Sequence, residues 1–244
     1  MRRTWCRVVV PSSQGSPDRD ALVLDAIERL GLGVRELLRT ALGGTDPNNI
    51  LSRLMGRGLV RSVPQGLPQN RAYYIPASEK PLGPQALQQR LALAWYTFMC
   101  SGPACFVLKG AEMTELFGLQ APSGAHLLEL GRQPRVLHVY APETVEVAAG
   151  IVRQVERAMS FPKVEKAIEE GTYAFLVLVP WLSGMERGLQ AALTAADLAG
   201  VESRFVPQVR RLKSVAGKAR FVVERVPGPE TLTLALKEAL GNAA

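Results

Sequence analysis

The stretch Asp46-Pro47-Asn48-Asn49-Ile50-Leu51-Ser52-Arg53-Leu54-Met55-Gly56-Arg57-Gly58 decides how the first third of this chain is read. Ile50, Leu51, Leu54 and Met55 recur at helical spacing and predict one buried face. The opposite flank carries Asn48, Asn49, Ser52, Arg53 and Arg57. Asp46 is a suitable N-cap, and Pro47 fits the first helical position, where its missing N–H costs nothing. Gly58 is placed to end the helix in the left-handed conformation. Residues 47–57 therefore read as an amphipathic helix with a polar, basic outer flank.

Working outward, residues 18–30 and 34–42 predict two further helices. The first offers Ala21, Leu22, Leu24, Ala26, Ile27 and Leu30 as a broad apolar face. Its first turn holds Asp18 and Asp20, favoured by the helix dipole, and Gly31 and Gly33 stop it. In the second, Val34, Leu37, Leu38, Ala41 and Leu42 repeat at i, i+3, i+4, i+7 and i+8, and Gly43-Gly44 supplies the turn. Residues 59–63 and 71–75 predict two strands around a tip rich in Pro, Gly, Gln and Asn. Arg suits guanine, Asn suits adenine and Ser suits either, so Asn48, Asn49, Ser52, Arg53 and Arg57 are candidates for base edges and phosphates.

This order, with the phrase LSRLMGRGLVRS followed by NRAYYIP, resembles the winged helix-turn-helix superfamily over about 60 residues. The resemblance implies that the third helix enters a major groove and the ribbon holds the backbone. In winged modules the tip of such a ribbon lies along the phosphate backbone or the minor groove, which makes Gln65, Gln69, Asn70 and Arg71 candidates there. Winged helices also serve as protein-docking modules, and in that case the polar flank of the third helix is simply solvated.

The chain has 244 residues, 47% hydrophobic and 21% charged, as in an ordinary globular protein long enough for one large domain or two modest ones. No apolar run approaches the ~18 residues of a membrane span, and the basic N-terminus has too short an apolar run for a signal peptide. The reading is a cytoplasmic protein with no membrane association. Cys6, Cys100 and Cys105, with His126 and His138, form no metal-ligand spacing, so no metal and no cofactor is expected. The net charge of +7 is uneven: +4 over residues 1–79, −1 over 80–200, +5 over 201–226 and −1 beyond. A polyanion touching two separate places accounts for that pattern; a general contribution to solubility is the plainer alternative. Arg210, Arg211, Lys213 and Lys218 stand out in the late basic segment as phosphate-contact candidates, against a solvated loop.

Residues 76–84, with three prolines, read as a linker, and 85–100 as a helix apolar nearly all round, buried between the two parts or at a dimer interface. The division expected is 1–79, then a linker and connecting helix over 80–101, then an α/β domain over 102–244. Within the last, 104–108 is a short apolar run and 111–117 a helix. Residues 125–130 and 135–140 form a hairpin, 143–159 and 163–170 helices, and 173–179 a central strand. A helix follows at 185–198, strands at 203–206 and 220–224, and a closing helix at 230–240. The class is α/β (α+β), with a mixed sheet covered by helices.

The blocks APSGAHLLEL, RVLHVYAPETVEVAAGIVRQVERA and YAFLVLVPWLSGMERGLQAAL resemble the C-terminal part of the plasmid replication-relaxation family. That resemblance, spanning most of residues 18–212, implies a winged helix joined to a restriction-endonuclease-like domain. Where that family tends to read Pro-Asp at the start of the hairpin, this chain has Pro122-Ser123. A nuclease of that kind needs an acidic residue on one strand and an acidic-x-Lys triplet on the next, to hold Mg²⁺ and assist water. Glu129 lies on the first strand, but residues 135–140 contain neither an acid nor a lysine. The expectation is no catalysis. Ser183-Gly184 lacks a nucleophile elbow, and Lys109-Gly110 lacks a preceding glycine run. His126 and His138 face each other across the hairpin and read as satisfied sheet histidines.

The function expected is a sequence-specific, non-enzymatic binder of double-stranded DNA, a transcription or plasmid or mobile-element replication regulator. It is expected to form a homodimer, with the α/β domain dimerising, sensing or docking a protein partner. The alternatives are a divergent metal-dependent nuclease using Glu112, Glu129, Glu143 and Lys109 or Lys163, and an adaptor in a larger nucleoprotein machine.

Overall fold

The computed structural model describes residues 18–64, 67–100, 103–118, 122–141, 147–180 and 218–241. Among them are eight α-helices, a two-stranded ribbon and a five-stranded mixed sheet, which makes the protein mixed α/β. The chain divides into two compact units, Met1–Cys105 with Pro227–Ala244, and Phe106–Val226.

In the first unit, α1 (Arg19–Leu30), α2 (Arg35–Ala41) and α3 (Asn48–Gly56) precede a ribbon of β1 (Val60–Val63) and β2 (Tyr73–Pro76). The ribbon is antiparallel, pairing Val60 with Pro76 and Val63 with Tyr73. Gly33, between α1 and α2, bridges to Tyr74 and exchanges both backbone hydrogen bonds with it, at 2.7 and 2.8 Å. The core between these elements is Val23, Ile27, Leu38, Ile50, Leu51, Leu54 and Val60. Two expectations are corrected here. Met55 is 36% exposed because the buried face of α3 closes with Leu54, and α1 turns Val23 and Asp20 inward while Ala21 faces solvent.

Local chemistry sets the limits of these helices. The Asp18 carboxylate accepts from the Asp20 N–H at 3.0 Å and caps α1. Asp46 accepts from the Asn48 N–H at 3.0 Å, so it caps α3 as expected, although Pro47 stands one position before the helix. Gly58 takes φ +67°, a conformation costly for any residue with a Cβ, and lets the chain turn directly from α3 into the ribbon. α4 (Pro84–Met99) begins with proline at its first position and packs against α1, α2 and the short 3₁₀ turn Pro229–Thr231. Arg90 on α4 donates to the Gly31 carbonyl at 2.8 Å and to Glu79 at 2.7 Å, tying the end of α1 to the segment after β2. α8 (Leu232–Gly241) closes this unit, burying Leu232, Ala235 and Leu236.

The second unit rests on the sheet β3-β4-β5-β6-β7, whose first strand, β3 (Ala104–Val107), crosses the division between units. β4 (His126–Leu130) and β5 (Arg135–Tyr140) are antiparallel; β6 (Tyr173–Pro180) and β7 (Phe221–Val226) each run parallel to the strand before. Between β5 and β6 the chain forms α6 (Val147–Met159) and α7 (Pro162–Glu169), and α5 (Gly110–Phe117) follows β3. β6 is buried on both faces from Tyr173 to Val179, as a continuous apolar run predicts for a central strand. Tyr173, Phe175, Val177 and Val179 meet Ile151, Val155 and Ala158 of α6 and Val164 and Ile168 of α7 in one core. The helix expected at 185–198, the strand at 203–206 and the start of the helix at 143 lie outside the described residues. No helix among the described residues is long and apolar enough to cross a membrane.

Candidate nucleic-acid interface

Because Ile50, Leu51 and Leu54 hold one face of α3 against α1 and β1, the opposite flank must meet solvent. Asn48, Asn49, Ser52, Arg53 and Arg57 are all exposed there. The flank is held in place by ion pairs that bracket it. Arg35 of α2 binds Asp46 at 2.7 Å and holds its carboxyl below the ordinary range, helped by the Asn48 N–H. Arg39 donates to the Gly44 carbonyl at 2.9 Å, closing the turn between α2 and α3. Asn48 is part of this cap, its side-chain amide 3.3 Å from Asp46.

Arg53 is also engaged within the protein. Its Nε donates to Asp20 Oδ2 at 3.0 Å and its Nη2 to Asp20 Oδ1 at 2.5 Å, a side-on bidentate pair between α3 and α1. The hydrogen bond from Arg53 holds the Asp20 carboxyl below its usual range, and Asp20 in turn raises Arg53. The pair is lopsided, with 56% of the Arg53 side chain exposed against 12% for Asp20. Sequence reading found both residues but not the link, which spans 33 positions. Arg57 is exposed and has no ion pair among the described residues.

At the ribbon, Gln69 is exposed and takes φ +61° in the 3₁₀ turn Pro68–Asn70, where Asn70 also sits. Arg71 behaves differently from a tip residue. Its Nε meets Glu36 of α2 at 3.1 Å, and its Nη1 is shut away from solvent with no hydrogen-bond partner among the described residues. That contact anchors the base of the ribbon to α2. In the second unit, Lys218 is exposed just before β7, while Arg210, Arg211 and Lys213 lie outside the described residues.

The second unit holds one other cluster with chemical character. His126 and His138 are cross-strand partners, each 1% exposed, with ring centroids 4.3 Å apart. Tyr173 of β6 joins them: its hydroxyl lies 3.0 Å from His126 Nε2 and 3.0 Å from His138 Nδ1. His126 Nδ1 faces the Gly124 carbonyl at 3.1 Å, so that nitrogen carries the proton. Tyr173 then donates to the bare His126 Nε2, His138 Nδ1–H donates to the tyrosine oxygen, and the amide of Gln154 on α6 donates to His138 Nε2 at 2.7 Å. Burial pushes His126 down to about 4; burial, with His126 beside it, pushes His138 down to about 3 against an opposing pull from the Ser123 carbonyl. Burial also raises the Tyr173 hydroxyl. The result is a neutral, internally satisfied chain that ties β4, β5, β6 and α6 together.

Among the described residues, those named for nuclease chemistry are distributed over β4, α7 and the start of α5. Glu129 pairs with Arg135, its register partner, on the sheet face opposite the histidines and opposite α6 and α7. Glu112 accepts the Lys109 N–H at 2.6 Å at the start of α5, and Lys163 stands on exposed α7 surface; Glu143 lies outside the described residues. Among the described residues no three His, Cys, Asp or Glu side chains converge as a metal would require. Compared with family models, curated proteins and solved structures, the chain matches none.

Proposed function

We propose that this protein is a sequence-specific duplex-DNA-binding regulator in which residues 18–79 act as a winged helix-turn-helix. In this reading α3 enters the major groove, and the β1–β2 ribbon lies along the backbone with Gln69 and Asn70 near its tip. The observation that carries the proposal is the exposed polar flank of α3, braced from α1 and α2 by ion pairs that fix its orientation. Asn49, Ser52 and Arg57 are the side chains presented there, with Arg53 beside them. The basic residues around 210–218 would add phosphate contacts that position without reading sequence. The second unit would dimerise, sense or dock a partner.

Selection of bound duplexes from a random pool, followed by titration with salt, tests this. The expected result is an enriched motif whose binding weakens steeply with salt and weakens by roughly tenfold in Arg57→Ala. Binding to a protein partner that is indifferent to salt, with no enriched duplex, would favour the docking alternative, for which the exposed Met55 on α3 supplies an apolar contact.

A further inference from the structure

We infer that Asp20 is a positioning residue that aims Arg53 at one guanine of the target duplex; the inference rests on the DNA-binding reading above and specifies what one side chain of that site recognises. A guanidinium has five N–H donors in a fixed plane. Asp20 takes the Nε–H and one Nη2–H, the side-on edge. The end-on edge, built from Nη1 and the second Nη2–H, is left pointing away from the carboxylate, on a side chain 56% exposed. Two parallel donors on that edge match the paired N7 and O6 acceptors of guanine in a major groove.

The pairing also argues against a phosphate as the target. Asp20 and Arg53 together are close to neutral, so the pair attracts a polyanion weakly, and the carboxylate behind the guanidinium opposes approach of a phosphate. What the pair keeps is direction. Held at two points, Arg53 has little rotamer freedom left to lose on binding, which is the cost that limits long side chains at interfaces. Asn49 and Ser52, exposed on the same flank, sit where neighbouring base edges would be met.

The test uses the full chain and the duplex enriched from the random pool, with each guanine replaced singly by 7-deazaguanine, which lacks N7. Wild type is expected to show one position where the replacement weakens binding by roughly tenfold. In Asp20→Asn that penalty should fall below about threefold at that position alone, while binding to a scrambled duplex is unchanged or tighter because a negative charge has gone. Arg53→Ala should lose the same penalty. If Asp20→Asn fails to fold, Asp20→Glu keeps the charge but moves the carboxylate, and partial loss at the same position is expected. An undiminished penalty in the Asp20 variants, or in Arg53→Ala, overturns the inference while leaving DNA binding intact. Binding without any sequence preference does the same, and no duplex binding at all sinks both readings.

Discussion

Tyr173→Phe removes one oxygen atom and leaves two buried ring nitrogens without partners. In the folded protein the hydroxyl donates to His126 Nε2 and accepts from His138 Nδ1–H, both at 3.0 Å, and both rings are 1% exposed, so water cannot take its place. An unsatisfied buried donor or acceptor costs about 1–3 kcal/mol. Two of them give a destabilisation of about 2–6 kcal/mol, with the lower end applying if the imidazoles shift toward each other and share a proton directly. The phenyl ring itself still packs edge-on against Phe117 at 5.6 Å and against Phe175 at 5.7 Å, so loss of packing contributes little. Urea unfolding gives the total, and amide exchange in β6 assigns it to the second unit. A loss below about 0.5 kcal/mol, with exchange in β6 unchanged, would refute the hydrogen-bonded chain as described.

The same cluster sets a pH dependence. Both histidines have folded pKa values below the unfolded 6.5, about 4 for His126 and about 3 for His138, so the unfolded chain binds protons first as pH falls. Their contribution is intact above pH 6.5 and is lost as pH drops toward 4, each steepening the loss toward about 1.4 kcal/mol per pH unit. Urea midpoints measured between pH 7 and 4.5 should show this; a flat profile there would contradict it, and His138→Gln should roughly halve the slope. A Cβ at Gly150 would stand 2.0 Å from the Tyr140 hydroxyl oxygen, so Gly150→Ala should destabilise the protein despite alanine's better helix propensity. In a Tyr140→Ala background the same change should stabilise by about 0.5–1 kcal/mol, and thermal unfolding of the four variants decides it.

Where the information is local, the sequence was read accurately. The cap at Asp46, the left-handed Gly58, the register that sets His126 against His138 and the fully buried β6 all follow from spacing and residue type within one or two turns or one strand pair. What remained hidden depends on distant parts of the chain meeting. The Asp20–Arg53 and Glu36–Arg71 pairs join residues more than 30 positions apart, and a charged residue in a first helical turn reads as a dipole effect whether or not an arginine waits across the interface. Tyr173 gave the same kind of false simplicity. At the head of an apolar run it looks like core, and only the parallel pairing of β5 with β6, which sets Val136 beside Tyr173, brings its hydroxyl to the two rings. The exposure of Met55 is hidden for a different reason: a helical period cannot tell the edge of a buried stripe from its centre.

On the proposed function, the outward flank of α3 touches a duplex. Photo-cross-linking the full chain to its enriched duplex, carrying 5-iodouracil through the motif, and mapping the attached peptide tests that contact where it should occur. Cross-links within Asn48–Gly56 and at Arg57 are the predicted result; cross-links confined to residues 106–226, with α3 untouched, would contradict it.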